Sequence, residues 1–147
     1  MKNNRIGYCS NKHLPPISRP RVFICYSNSD RSQIALLRNL KRSGYMEFVD
    51  YSIKEPYIAG WKDSAEYRIR ESDCVLVALN EYELGEGMIF EIELARSMGK
   101  PILVVKNDPR IPLPRELWGY GVRVLPFRCR AIQNEIDRIH RRKYRYR

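Results

Sequence analysis

The sequence predicts an α/β protein built on an open parallel β-sheet, with helices on both of its faces. Short apolar runs without polar alternation, such as VLVAL at 75–79, are typical of strands that are covered on both faces. These runs alternate along the chain with segments of helical periodicity, and the connections are short, which favours crossovers between parallel strands. The 147 residues are 44% hydrophobic and 30% charged, a composition suited to one domain with a full core.

Five strands are expected, with helices between them and at the end of the chain. The strands are predicted at 21–26, 46–51, 73–79, 101–105 and 122–125, and the helices from about 34 up to Gly44, at 62–71, from 88 up to Gly99, and from about 131 onward. Five parallel strands suit the flavodoxin-like order 2-1-3-4-5. In such folds ligands bind beyond the carboxyl ends of the strands, here at the switch point between strands 1 and 3.

Basic charge is concentrated in the two ends of the chain. Residues 1–21 carry five basic side chains and no acidic one, and residues 128–147 carry eight basic against two acidic side chains. The segment between them is close to neutral, so the charge does not favour a nucleic-acid partner. We expect the basic tail to contact an acidic protein surface, either of another copy or of an effector. We expect a basic arm at 1–20, the folded domain at 21–140 and a basic tail at 141–147.

Several classes of protein and site are not expected. No apolar run approaches the ~18 residues of a membrane span, and the first twenty residues lack the apolar core of a secretory signal, so we expect a cytoplasmic protein away from membranes. Cys25 and Cys74 lie in apolar strands and are expected as reduced core residues. The cysteine spacing predicts no metal site. Asn80 ends strand 3 where a phosphoacceptor domain needs an aspartate, and no glycine-rich phosphate loop is present.

Glu91 is the most informative residue of the sequence. On a helical wheel it falls among the apolar residues of the segment 88–98, whereas Glu93 falls on the opposite face. A carboxylate among core-facing residues costs several kcal/mol unless it is paired, neutral or facing a cavity. Because Glu91 also lies one turn into a helix that begins at the predicted crevice, it is a candidate functional carboxylate. The alternatives are an ion pair with an arginine at the edge of the sheet, or a helix phase that leaves Glu91 exposed at that edge.

The loops that follow strands 1 to 3 supply the other candidate site residues. Ser27 and Asn28 could instead only cap the first helix, and Asp50 could reach a ribose hydroxyl or be solvated at the end of strand 2. Trp61 could cover a ligand ring or pack on the sheet. The predicted substrate-binding set is Tyr26, Ser27, Asn28, Asp50, Asn80 and Gly87.

The order of several segments resembles a bacterial TIR-like domain. The segments are VFICYS at 22–27, FVDYS at 48–52, IRESDCVLV at 69–77, FEI at 90–92 and GKPI at 99–102, and the resemblance extends over about residues 21–127. It is strongest to the compact kind of which the Thoeris antiphage subunits are examples. Such domains share the five-stranded flavodoxin-like fold. Many cleave NAD between nicotinamide and ribose, and some make cyclic ADP-ribose isomers as signals.

For the site, this resemblance implies a catalytic role for Glu91. The family's catalytic glutamate lies on the helix after the third strand, which is the position of Glu91, and Gly87 stands where the family often has a tryptophan. The resemblance implies an enzyme that hydrolyses or cyclises NAD, with NAD as substrate and no further cofactor. It also implies a homo-oligomer or an assembly with an effector, signalling in antiphage defence. Many members are scaffolds without activity, which is the alternative function.

A second resemblance is to nucleoside 2-deoxyribosyltransferases. It rests on GMIFEI at 87–92, followed by Ala95 and by GKPI at 99–102. In that family a glutamate at the place of Glu91 is the nucleophile on a nucleoside sugar. Both resemblances therefore imply a glutamate that acts on a ribosyl centre while an N-glycosidic bond breaks. Since nicotinamide is a cationic leaving group, a carboxylate that stabilises the oxocarbenium-like centre would suffice without a strong general acid.

Overall fold

A computed structural model describes residues 19–26, 42, 49–50, 60–80, 84–106, 108–119 and 121–145. The strands are β1 (Arg21–Cys25), β2 (Val49–Asp50), β3 (Cys74–Leu79), β4 (Ile102–Lys106) and β5 (Arg123–Pro126). The helices with described bounds are α1 (Trp61–Arg70), α2 (Glu86–Ser97) and α3 (Cys129–Arg145), with a short 3-10 turn at Arg115–Leu117. The helix expected before Gly44 and most of the expected second strand lie outside the described residues.

Neighbouring strands pair in parallel, in the order β2-β1-β3-β4-β5. Four of the strands are four to six residues long. At the edge, β2 contributes a two-residue pairing, of Val49 with Arg21 and of Asp50 with Val22. The α/β class with a parallel sheet is therefore confirmed.

Burial follows the position of each strand in the sheet. All six residues of β3 are buried, and so are the first four of β4, which explains why neither strand shows polar alternation. The outer strand β5 is largely exposed, and its Val124 is 47% exposed. The apolar runs of the sequence therefore identify the centre of the sheet.

The core consists of two hydrophobic clusters, one on each face of the sheet. Successive residues of β1 point to opposite faces, so that Phe23 and Cys25 contribute to one cluster and Val22 and Ile24 to the other. The cluster of Phe23 and Cys25 is completed by α1 and α2, and the other cluster by α3. Helices thus cover both faces, as expected. None of the helices within the described part of the chain is long and apolar enough to span a bilayer.

Asp73 attaches α3 to the amino ends of the strands. Its buried carboxylate accepts hydrogen bonds from the backbone N–H of Arg21 at 2.9 Å and from Lys143 Nζ at 2.6 Å, and His140 Nδ1 lies 3.3 Å from it. The segment expected to be a basic tail from residue 141 therefore begins within α3, and Lys143 is part of the folded domain.

Candidate functional site

The helix α2 presents Glu91 to the sheet because its apolar residues recur at helical spacing. Its buried residues are Gly87, Met88, Glu91, Ile92 and Ala95. Glu91 is only 6% exposed, whereas Glu93 is exposed. The placement of the two glutamates that the helical wheel predicted is therefore confirmed.

Cys25 is the neighbour of Glu91 at the end of β1. The thiol is fully buried and donates a hydrogen bond to the carbonyl oxygen of Met88 at 3.8 Å, with the Glu91 carboxyl group as a second acceptor beside it. Burial, and secondarily the charge of Glu91, raises the pKa of the Cys25 thiol well above its usual value. The thiol therefore stays protonated and serves as a donor.

From sequence, Cys25 is predicted as a core residue, which does not identify its contact with Glu91. The period of two along a strand was the available signal. Because alternate residues of a strand share a face, Cys25 at the end of β1 lies on the same face as Phe23. Recognising the contact also required knowing that α2 crosses that end of β1, which the sequence alone did not show.

Burial raises the pKa of Glu91 from its ordinary value of 4.5 to about 7, and the hydrogen bond from Cys25 partly opposes this shift. The other buried carboxylates of the described residues are Asp73 and Glu135. Asp73 is paired with Lys143, and Glu135 with Arg138. No described cation pairs with Glu91, so the ion pair considered as an alternative is not found in this part of the chain.

Glu91 lies at the carboxyl edge of the sheet, next to its switch point. The strands β1 and β3 are adjacent, and the chain leaves them toward β2 on one side and β4 on the other. Cys25 is the last residue of β1, and Asn80, which is half-buried, directly follows β3. Gly87 is buried one turn before Glu91 on α2. These residues share the edge at which ligands bind in open α/β sheets.

Two members of the predicted substrate-binding set lie away from Glu91. Tyr26 is 8% exposed and packs in the cluster under α3, on the face opposite to Cys25. The backbone of Asp50 pairs with Val22, three residues before Cys25 and therefore about 10 Å below the carboxyl end of β1. Ser27 and Asn28 lie outside the described residues, so their contribution stays a prediction.

Trp61 packs against the core instead of standing open at the edge of the sheet. Its ring meets Phe90 edge to face, with the centroids 5.2 Å apart, and both rings contact the cluster under α1 and α2. Lys62 Nζ lies 5.2 Å from the Phe90 centroid. Within the described ranges, no group of three or more His, Cys, Asp or Glu side chains could hold a metal ion.

Known proteins resemble this chain in fold. No family model and no curated protein sequence matches it. A pilus assembly-related protein from Burkholderia pseudomallei K96243 matches with a TM-score of 0.56 and 18% identity over 84% of this chain and 90% of its own. The CMP N-glycosidase BcmB of Clostridium botulinum matches with a TM-score of 0.54 and 17% identity, over 80% of this chain and 98% of its own.

A third likeness is to the receiver domain of Francisella response regulator 1452. Its TM-score is 0.51 at 11% identity, over 84% of this chain and 98% of that domain. At such low identities these likenesses show the fold alone. The chain therefore has an α/β fold of the receiver-like and flavodoxin-like kind, which it shares with at least one N-glycosidase.

Proposed function

We propose that this protein cleaves an N-glycosidic bond at the ribose of a nucleotide, with NAD as the substrate and Glu91 as the catalytic carboxylate. The observation that carries the proposal is the burial of Glu91 without a described cationic partner at the carboxyl edge of the sheet. Such a group costs stability, and functional sites are where proteins retain groups of this kind. A function as a scaffold alone does not account for this carboxyl group.

The reaction would follow from the charge that Glu91 carries. When the bond between C1′ of the ribose and the nicotinamide nitrogen breaks, its electron pair leaves with nicotinamide, which becomes neutral. The positive charge moves to the ribosyl centre, where the ionised Glu91 would stabilise it in surroundings less polar than water. Water would then form the new bond to C1′ and release a proton, giving ADP-ribose. Attack by an adenine nitrogen instead would give a cyclic isomer.

The leaving group separates NAD from other nucleotides. Nicotinamide leaves as a neutral molecule without protonation, whereas a pyrimidine base such as that of CMP leaves more readily when an acid protonates it. A carboxyl group with a pKa of about 7 is present in both forms at neutral pH, so its chemistry is compatible with either substrate. NAD is our first choice because of the resemblance to TIR-like domains. A transferase of the deoxyribosyl kind is the closest alternative, with the same glutamate.

The wider role that we propose rests on that same resemblance. We take the chain to be a TIR-like domain with a full five-stranded sheet, for which the two-residue β2 pairing gives partial support. Its product would be an ADP-ribose-type signal in antiphage defence, made in the cytoplasm by a homo-oligomer or by an assembly with an effector.

A substrate panel tests the proposed chemistry. The full chain is incubated separately with NAD, with CMP and with a deoxynucleoside plus an acceptor base, and the products are separated by chromatography. We expect nicotinamide and ADP-ribose or a cyclic isomer from NAD, and no product from the Glu91→Gln variant. Base release from CMP alone would support the cleavage of an N-glycosidic bond but would identify CMP, and not NAD, as the substrate. If the folded protein, tested also in concentrated, assembled form, releases no base from any of them, the proposal is wrong.

A further inference from the structure

The described residues line a cavity of about 520 Å³ at the edge of the sheet opposite to Glu91. It lies at the amino ends of β3 and β4 and is closed on one side by α3. Asp73 and Lys100, which precede these strands, contribute to its wall, as do Arg123 of β5 and Arg142 of α3. The volume is in the range of sites for small molecules.

Positive charge dominates this amino-edge cavity. Its two acidic side chains are Asp73 and Glu135. Its basic side chains are Lys100, Arg123, Arg138, Arg142 and Lys143. Lys100 and Arg123 belong to the body of the domain and not to the basic end of the chain. The basic surface of α3 therefore continues onto the folded domain, which the near-neutral charge of the middle segment had concealed.

Both acidic groups are already neutralised by the protein. Asp73 accepts the hydrogen bond of Lys143 and that of a backbone N–H. Glu135 is paired with Arg138, and Arg123 approaches it to 3.5 Å, so that these cations hold its pKa below the usual range. The net positive charge of the cavity is therefore available to a ligand.

The other cations of the cavity are Lys100, Arg123 and Arg142. Lys100 Nζ donates hydrogen bonds to the carbonyl oxygens of Arg70 and Ser72, both at 2.8 Å, and burial, followed by the nearby charge of Lys143, lowers the pKa of Lys100. Arg142 is exposed and makes no hydrogen bond to the described residues, although its charge acts on Glu135. An anion beside Arg123 and Arg142 would gain charge-assisted hydrogen bonds.

An apolar wall accompanies the charges. It is formed by Met98, Pro101, Ile102, Leu103 and Ile139. A ligand that fits both parts has a phosphate group and an uncharged, flat or apolar portion. This combination distinguishes a small molecule from a bare ion and from a long polyanion, which needs only an extended basic surface.

We propose that the amino-edge cavity binds a nucleoside phosphate, with its phosphates at Arg123 and Arg142 and its base or sugar against the apolar wall. The site is separate from Glu91, because the two lie at opposite ends of the strands. It does not depend on the activity proposed for Glu91.

Binding of ADP to the full chain tests this site, with pyrophosphate and adenosine as partial ligands. We expect ADP to bind more tightly than either part. Arg142→Ala should weaken ADP binding about tenfold, the typical loss of one charge-assisted hydrogen bond. The matched control is Arg141→Ala, an equally exposed arginine on α3 that does not line the cavity, and we expect less than about a twofold change.

The location of the bound ligand is read from backbone amide resonances. Shifts at Gly99 and Gly121, which line the cavity, support the proposal, whereas ADP-induced shifts confined to Gly87 and Glu91 would overturn it. Equal weakening by Arg141→Ala, or an oligonucleotide that binds far more tightly than ADP, would indicate a general polyanion surface and would also overturn it. So would the absence of ADP binding at millimolar concentration. None of these readouts uses the N-glycosidic reaction.

Discussion

Glu91 and Cys25 form a pair whose protonation is set by burial. The thiol of Cys25 stays neutral, so the charge of the pair is the charge of Glu91, which changes near pH 7. This property gives the site two forms within the physiological range, one suited to stabilising a cation and one able to donate a proton.

The activity toward NAD should follow the ionised form of Glu91. We expect kcat/KM for NAD to rise about tenfold per pH unit below pH 7 and to level off above it. The midpoint of kcat should lie at lower pH, because the cationic nicotinamide ring in the complex favours the carboxylate. A pH series of initial rates measures both. A rate that falls through pH 7 would mean that the protonated form is the active one.

The same pKa makes a prediction for stability. The pKa of Glu91 is higher in the folded protein than in the unfolded chain, so the full stability is present below about pH 4.5 and is lost as the pH rises through about 7. The loss amounts to about 3 kcal/mol. Glu91→Gln cannot ionise and should therefore be more stable than wild type at pH 8 by up to that amount. Urea unfolding of wild type and of Glu91→Gln at pH 4.5 and at pH 8 measures the difference between their free energies of unfolding at each pH. A difference that does not change with pH would contradict the raised pKa of Glu91.

Removal of the Cys25 thiol should raise the pKa of Glu91 further. The hydrogen bond from Cys25 lowers this pKa, so Cys25→Ala should move the midpoint of kcat/KM to a pH above that of wild type. The control is Cys74→Ala, which creates a similar small gap on the other face of the sheet. We expect the control to lose stability without moving the midpoint. Equal movement in both variants would show a general effect of core packing.

Some of these residues could be identified from sequence and others could not. The opposite orientations of Glu91 and Glu93 follow from helical geometry alone, because successive residues of α2 are rotated by about 100° around the helix axis. The distance of Asp50 from the carboxyl edge of the sheet depends on the register between β2 and β1. Strand pairing determines this register, and the local sequence does not. Its assignment to the end of its strand therefore gave no information about its distance from Glu91.

Among the elements, α3 depends most on a polar anchor. Asp73 is buried and joins the backbone of β1 to His140 and Lys143 of α3, 67 and 70 residues later in the chain. The sequence predicted a tail at 141–147 because basic residues are concentrated there. A lysine that reaches a buried carboxylate across the fold leaves no periodic signal, so this contact could not be found from the sequence.

Asp73→Ala should destabilise the protein by about 3 kcal/mol, because it leaves buried donors without their acceptor. The matched control is Glu66→Ala. Glu66 contacts Arg70 at 2.6 Å, the distance that also separates Asp73 from Lys143, but its pair is exposed. We expect the control to cost less than about 0.5 kcal/mol. Denaturant unfolding of both variants compares the two ion pairs, and similar costs would contradict the anchoring role of Asp73.

On the scale of the whole molecule, the sheet separates two kinds of site. The carboxyl edge holds a buried carboxyl group that pairs with no cation of the described residues, and the amino edge holds a cavity with excess positive charge. The architecture was accessible from sequence because buried parallel strands and amphipathic helices leave distinct periodicities. The amino-edge cavity was not, because its charges come from segments far apart in the chain.

We propose that Glu91, and not its neighbour Glu93, carries the N-glycosidic chemistry. The most direct measurement is single-turnover release of nicotinamide from NAD by wild type, Glu91→Gln and Glu93→Gln, each verified as folded by circular dichroism. We expect no detectable release by Glu91→Gln and a rate within about twofold of wild type for Glu93→Gln, which is exposed on the opposite face of α2. Full activity of Glu91→Gln, or loss of activity in Glu93→Gln alone, would contradict it.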